Sequence, residues 1–445
     1  MDRPRNLKFF DASPVSRDAV LDRLRGTIVG AALGDAIGLY TEFLSKSMCR
    51  TAYPEGKFQL VAPATRFLSD GHRLKFAQTG WTDDTDHSLL IVLSYLHGNG
   101  HLDPVDFAHR LQFWVEQGLR CLDRLPLGLG RTVGAVVCHP SFLTDPTATA
   151  YENWNKLNRN PAPNGSLMRT HPLGVICFDE TVEETFRVAT DFSRVTHADP
   201  RCIVSCCVAT GLVRGLLRSE VLAEKDIDQM IESSLSWVGG WISAQNASSA
   251  DTSKPRYPAL DHEEFYKHVR AATLEDLQLD DSMKMGYVYK TLGAGVLLLR
   301  RALRRLDNAD ELQHAGGLFE ELITELIMQG GDADTNATVA GSFLGALLGY
   351  NTQPGKWKDG LMHGGWLLRK CDALAAVVGI YAFDQPYDGR ADPDTGLEGG
   401  KPRLTKEELM QREKGFMERY LTNLKRDADK RATKSSGWLG KLFGR

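Results

Sequence analysis

Alternating runs of β-branched residues, the mark of half-buried strands, are scarce in this chain of 445 residues. That scarcity argues against a sheet-based fold. The eight cysteines show no CxxC pair and no histidine partner at zinc spacing, so they do not signal a structural zinc. Cys202, Cys206 and Cys207 fall in the apolar run RCIVSCCVATGLVRGLL and read as small core residues. No stretch reaches the roughly 18 consecutive apolar residues of a membrane span. The opening MDRPRNLKFFDASPVSRDAV lacks the apolar centre of a secretory signal. The expected location is therefore cytoplasmic or nuclear, and reducing. A repeat of roughly 20–50 residues, which would mark a solenoid, is also missing.

Positive charge is lacking in the body of the chain. Lys401 to Arg445 holds 13 basic and 6 acidic residues, a net of +7, whereas the preceding 400 residues hold 40 basic and 51 acidic, a net of −11. An acidic body argues against direct nucleic-acid readout. If the substrate is an anion, something other than overall charge must attract it.

What is present is helical periodicity. VLDRLRGTIVGAALGDAIGLY, DHSLLIVLSYLHGNG, DFAHRLQFWVEQGL, TLGAGVLLLRRALRRL and LFEELITELIMQG all repeat apolar residues at helical spacing. An all-α protein is expected. Residues 1–20 read as an N-terminal extension, 21–384 as one helical domain, and 385–445 as a linker followed by a basic, partly helical tail. Cys138–Pro163, Asn246–Pro258 and Asp384–Pro402 are rich in turn-forming residues and read as loops. Gly26, Gly30, Gly34 and Gly38 stand four apart, as do Gly341, Gly345 and Gly349. Each set lines one helix ridge, at a cost of about 1 kcal/mol per glycine relative to alanine. Such a ridge favours close backbone approach, and close approach can bring helix ends together.

Chemistry concentrates at two helix starts. GWTDDTDHSLL places Asp83, Asp84 and Asp86 before an apolar helix, and GGDADTNATVAGSF does the same with Asp332, Asp334 and Thr335. A third acid-bearing stretch, GDAIGLYTEF, carries Asp35 and Glu42. Capping and the helix dipole account for one or two acids at a helix start. A hard divalent cation accounts for more, because it takes carboxylate and hydroxyl oxygens and cancels their repulsion. The EF-hand spacing is absent. His87 reads as a helix-surface or packing residue.

The motifs GDAIGLYTEF, WTDDT, PNGSLMR, THADPR and GGDADTNA stand in the order found in ADP-ribosylglycohydrolases, and the chain resembles that family from about Leu24 to about Phe383. The resemblance implies an all-α orthogonal multi-helix bundle with a binuclear site for two Mg²⁺ (or Mn²⁺). It implies Thr82, Asp83, Asp84, Asp332, Asp334 and Thr335 as metal ligands, and Glu42 and Asp84 as candidate catalytic groups, Glu42 matching an acid that in the family either binds one ion or sits at the reacting centre. Asn164, Gly165 and Ser166 would form a loop holding phosphate and ribose, and His197 would lie near the adenosine end. Arg169 and Arg201 are candidates to neutralise pyrophosphate, and Trp81 and Trp357 to stack, although ion pairing and core packing are the simpler roles.

The implied activity is hydrolysis at the distal ribose of ADP-ribosylated side chains or related ADP-ribose conjugates, releasing ADP-ribose. Two rivals stand beside it: a non-catalytic ADP-ribose-binding or structural relative, and a two-metal phosphohydrolase on nucleotide esters. The tail LTKEELMQREKGFMERYLTNLKRDADKR reads as a charged helix, and SSGWLGKLFGR has the composition to touch an anionic membrane or a partner.

Overall fold

The computed structural model describes residues 7, 9–248, 256–308, 317–381 and 386–443, with side chains to residue 426. Among the described residues there are eighteen α-helices, a few 3₁₀ turns, and no strand beyond two isolated bridges. In chain order the helices are α1 (Phe9–Ala12), α2 (Arg17–Gly38), α3 (Lys46–Ala52), α4 (Asp83–His97), α5 (Pro104–Gln117) and α6 (Arg131–Val137). They continue with α7 (Pro146–Lys156), α8 (His171–Ile176), α9 (Val182–Arg194), α10 (Pro200–Leu217), α11 (Glu224–Ala247) and α12 (His262–Val269). The last are α13 (Val288–Asp307), α14 (Leu318–Ile327), α15 (Ala333–Leu348), α16 (Gly355–Lys358), α17 (Gly364–Val378) and α18 (Lys406–Phe443).

The two glycine ridges meet. A Cβ placed on Gly34 would fall 2.0 Å from the Ala337 carbonyl oxygen, and one on Gly345 would fall 1.9 Å from that of Gly26. Only hydrogen fits between these backbones. The helices run antiparallel, so the last turn of α2 lies beside the first turn of α15. A Cβ on Gly38 would meet the Asp334 Cα at 2.4 Å. The acids that follow each ridge are thereby brought to one place.

The rest of the core grows around this pair. α4 is buried along nearly its whole length, and α10 is apolar enough to span a membrane, with 94% of that stretch buried inside the fold. His87 lies inside as well, its ring 4.5 Å from Trp114, and so belongs to the packing and not to a helix surface. Phe9 packs edge-on against Phe178 at 4.9 Å.

One expected loop is corrected. Cys138–Pro163 contains α7, which starts at an Asp145 cap with Pro146 in its first turn. Its Trp154 is buried and donates Nε1 to Asp199 at 2.8 Å, so tertiary burial stabilises a stretch whose composition suggested turns. Of Asn246–Pro258, residues 249–255 lie outside the described set; Asn246 itself belongs to α11 and exchanges two hydrogen bonds with Tyr257, at 2.8 and 2.9 Å. The tail is helical to Phe443, and the suggested membrane or partner contact of 435–445 concerns side chains outside the described set.

Candidate functional site

The N-terminus of α4 is fixed by Asp35, in the last turn of α2. Asp35 Oδ1 accepts the Thr82 amide at 2.8 Å, and Oδ2 accepts the Thr85 amide at 3.0 Å and the Thr85 hydroxyl at 2.6 Å. Three of roughly four acceptor sites on this carboxylate are therefore used. Thr82 caps α4 and turns its hydroxyl toward both clusters, 3.1 Å from Asp84 Oδ2 and 3.5 Å from Asp334 Oδ2.

Glu42 reaches the same place by a backbone exchange. The Phe43 amide donates to the Gly331 carbonyl at 2.6 Å, and the Gly331 amide donates to the Leu44 carbonyl at 2.9 Å. Gly331 has φ +69°, and a Cβ there would fall 1.9 Å from the Leu279 carbonyl oxygen, so glycine is required at this turn. The turn after α2 is thus tied to the turn before α15.

Two acidic triads result. Asp35, Asp84 and Asp334 each offer an oxygen, all within 4.8 Å of one another; so do Glu42, Asp332 and Asp334. Asp334 belongs to both. Asp84 Oδ1 is buried and has no hydrogen-bond partner. An unpaired buried carboxylate oxygen is costly unless a cation meets it. The donor set is hard oxygen throughout, which suits Mg²⁺ or Mn²⁺ and not a thiolate-seeking ion. The residues therefore fit a hard metal cation.

The electrostatics agree. Burial raises the Asp83, Asp84 and Asp334 carboxyls well above their ordinary range, and the neighbouring carboxylates raise them further. Asp332 is raised by its enclosure and by the charge of Glu42. Hydrogen bonds from the Thr335 hydroxyl offset part of the rise at Asp84 and Asp332. Asp35 is pushed by burial to about 6, with Thr85 and Thr82 limiting the rise. These acids resist shared ionisation until positive charge joins them.

The expected residues separate into distinct settings. Glu42, Asp84, Asp332 and Asp334 converge in the triads, with Thr82 and Thr335 beside them. Asp83 lies against Gly128, where a Cβ would meet its Oδ1 at 2.1 Å. Asp86 has a different task. It accepts from the Trp81 and Trp114 indoles at 2.8 and 3.0 Å and from Arg124 at 2.9 Å. The third aspartate of the TDDTD run thus anchors the core.

Asn164 to Ser166 form a 3₁₀ turn. The Asn164 side chain donates to Asp332 Oδ2 at 2.8 Å and to the Thr291 hydroxyl at 3.0 Å, and its amide is taken by the Gly286 carbonyl at 3.1 Å. Gly165 lies against the His197 ring, and the Ser166 hydroxyl points into the core, where Ser193 donates to it at 3.1 Å. His197 lines a cleft with Thr132, Asn153, Trp154, Pro163 and Asp199. Its Nδ1 pairs with the Thr196 hydroxyl at 2.8 Å, whereas its Nε2 is buried without a partner. Burial and the charge of Arg169 depress its pKa well below the usual range, keeping the ring neutral.

Arg169 is buried on the Thr196 hydroxyl and the Phe192 carbonyl, and Arg201 pairs with Asp199 at 2.8 Å. Both guanidinium groups have protein partners, although Nη1 of Arg169 is buried without one. Trp81 and Trp357 are buried in the core, the latter donating to the Phe58 carbonyl at 2.9 Å. Asp35, absent from the expected metal set, borders the first triad, but its oxygens are taken by Thr82 and Thr85. Its signal was its place next to a ridge glycine, Gly34, on a helix whose other residues there are apolar.

A family model described as ADP-ribosylglycohydrolase matches residues 16–382. An ADP-ribosylarginine hydrolase Tri1 of Serratia proteamaculans (strain 568) is 25% identical over 350 residues, covering 77% of this chain and 76% of that protein. The ADP-ribosylhydrolase ARH3 of Homo sapiens is 23% identical, covering 76% of this chain and 89% of the relative. A solved structure titled ADP-ribosylglycohydrolase-related protein complex superposes with a TM-score of 0.51 at 23% identity, over 80% of this chain and 98% of that one, and so shares the fold.

Proposed function

The chain belongs to the ADP-ribosylglycohydrolase family, and we propose that it hydrolyses the bond at the anomeric carbon of the distal ribose in ADP-ribosylated protein side chains or related conjugates, releasing ADP-ribose. One observation carries this reading: two acidic triads meet at Asp334 beside a buried, unpartnered oxygen of Asp84. Asp84 and Asp334, with Thr82 and Asp83 alongside, would hold one Mg²⁺ or Mn²⁺, and Asp332, Asp334 and Thr335 a second. Bound there, the ions would supply Lewis-acid contacts to the ribose hydroxyls and an activated water.

The chain's own residues do the rest. Glu42 takes a proton from the attacking water as the anomeric carbon opens toward an oxocarbenium-like state. Asp35 keeps the start of α4 in register, and Asn164 orients Asp332. In this reading the adenosine end lies toward His197, whose buried Nε2 has no partner within the protein.

The test is release of free ADP-ribose from defined conjugates, beginning with the arginine-linked one for which the Serratia relative is named. Asp84→Ala, Asp334→Ala and EDTA should each abolish release, and Mg²⁺ or Mn²⁺ should restore the chelated protein. Full activity after chelation would remove the metal from the reading. Recovery of AMP or phosphate in place of ADP-ribose would assign the site to phosphoester chemistry.

A further inference from the structure

Glu42 is gripped by one short segment, Asp70–Lys75, that none of the five motifs contains. Arg73 is buried; its Nε donates to the Tyr40 carbonyl at 2.9 Å and its Nη2 to the Glu42 carbonyl. The guanidinium thus fixes the backbone on both sides of Thr41. Its neighbour His72 holds the side chain: Nε2 donates to Glu42 Oε2 at 2.5 Å. The imidazole is itself set between Phe43 and Phe76, with ring centroids 4.8 and 5.3 Å away. Asp70 caps the segment, accepting the His72 and Arg73 amides at 3.0 and 2.8 Å.

Behind this turn lies α18. The Tyr420 hydroxyl donates to the Gly71 carbonyl at 2.9 Å, one residue from His72. The helix is moored to the body by Arg412, which donates to the Gln117 carbonyl at 2.8 Å. α18 begins at Lys406, beyond residue 382 where the family match ends. An element outside the shared fold therefore touches the support of the candidate base.

We propose that His72 is a positioning residue that sets the orientation of the Glu42 carboxylate, and that α18, through Tyr420 and Gly71, steadies the turn carrying His72. The inference rests on the reading of Glu42 as the base. Arg73 fixes the Glu42 backbone but leaves three side-chain torsions free, and unheld, those torsions scatter the carboxylate among rotamers. One hydrogen bond from a ring packed against two aromatic neighbours selects one of them, with the carboxylate beside Asp332 and Asp334. Geometry of this kind acts on the chemical step more than on ground-state binding.

The experiment measures kcat and KM for ADP-ribose release, the Kd of ADP-ribose and the melting temperature of full-length variants. His72→Ala should lower kcat about 10- to 100-fold while KM and Kd stay within about twofold. His72→Gln, which keeps a donor at similar reach, should recover most of the loss. Glu42→Gln/His72→Ala should be no slower than Glu42→Gln alone, since the histidine acts through the glutamate. Tyr420→Phe should lower kcat about threefold with KM unchanged, the effect of losing one neutral hydrogen bond at a distance. Wild-type kcat in His72→Ala, or a KM that rises as far as kcat falls, would overturn the role of His72. Wild-type kcat in Tyr420→Phe would overturn the role of α18. A fully active Glu42→Gln would instead overturn the base assignment itself.

Discussion

Gly38 and Asp334 touch through their backbones: a Cβ on the glycine would stand 2.4 Å from the aspartate Cα. The last residue of one ridge helix thereby fixes the carboxylate that both acidic triads share. Gly38→Ala should destabilise the protein by about 1–3 kcal/mol through overpacking, and should weaken metal binding as well. Urea unfolding and metal titration of the same variant would check both. Normal metal affinity in a destabilised variant would separate the ridge from the site.

Asp334 serves two triads, whereas Asp332 and Asp84 serve one each. Calorimetry with Mn²⁺ should find two sites in the unaltered chain. Asp334→Ala should lose both, and Asp332→Ala or Asp84→Ala should retain one. Two sites in Asp334→Ala would show that the carboxylate is not shared.

Asp86 provides a contrast within the same run. Asp86→Ala leaves two buried indole N–H groups without their acceptor and removes the carboxylate paired with Arg124, which keeps only the Trp81 carbonyl. A loss of about 3–5 kcal/mol in stability is expected, as for one partner removed from a buried pair. The metal stoichiometry of the surviving folded fraction should stay at two. Mildly reduced stability with lost metal would reverse the assignment.

The acidity of the site predicts a pH effect. Asp35 has its folded pKa raised from 3.8 to about 6. Between those values the folded chain holds a proton that the unfolded chain has released, so this stabilisation is present below the lower value and is lost as pH rises through the higher one. It amounts to about 3 kcal/mol. Buried His171, depressed by burial to about 3, works in the opposite direction, with stability falling as pH drops below its ordinary 6.5. The histidine contribution is common to metal-free and metal-loaded protein, so their difference isolates the carboxylates. The melting-temperature gain on adding Mg²⁺ or Mn²⁺ should be larger at pH 7.5 than at pH 5, because protons compete for the same oxygens. An equal gain at both values would mean that the ion binds elsewhere.

Much of this arrangement is legible from the chain alone, for physical reasons. Glycines at four-residue spacing admit few interpretations, and the acids at Asp84, Asp332 and Asp334 follow directly from the helix starts. Long-range support was harder to read. Asp35 stood out with Glu42 as an acid-bearing stretch, but only packing showed it accepting from Thr82 and Thr85. His72 and Arg73 lie 30 and 31 residues after Glu42, in a segment without periodicity, and their partners are set by how the chain returns. The α7 helix was hidden because Pro, Thr and Asn dominate a stretch whose stability comes from burying Trp154.

The seam between α2 and α15 has a consequence for heredity. The glycines along it carry no chemistry of their own, yet any carbon added to Gly34 or Gly345 would meet the opposite backbone and spread the acid-bearing helix ends apart. A saturation scan scored on hydrolysis should therefore find Gly34 and Gly345 as intolerant as the aspartates, and an observer given only that map would mistake them for reagents.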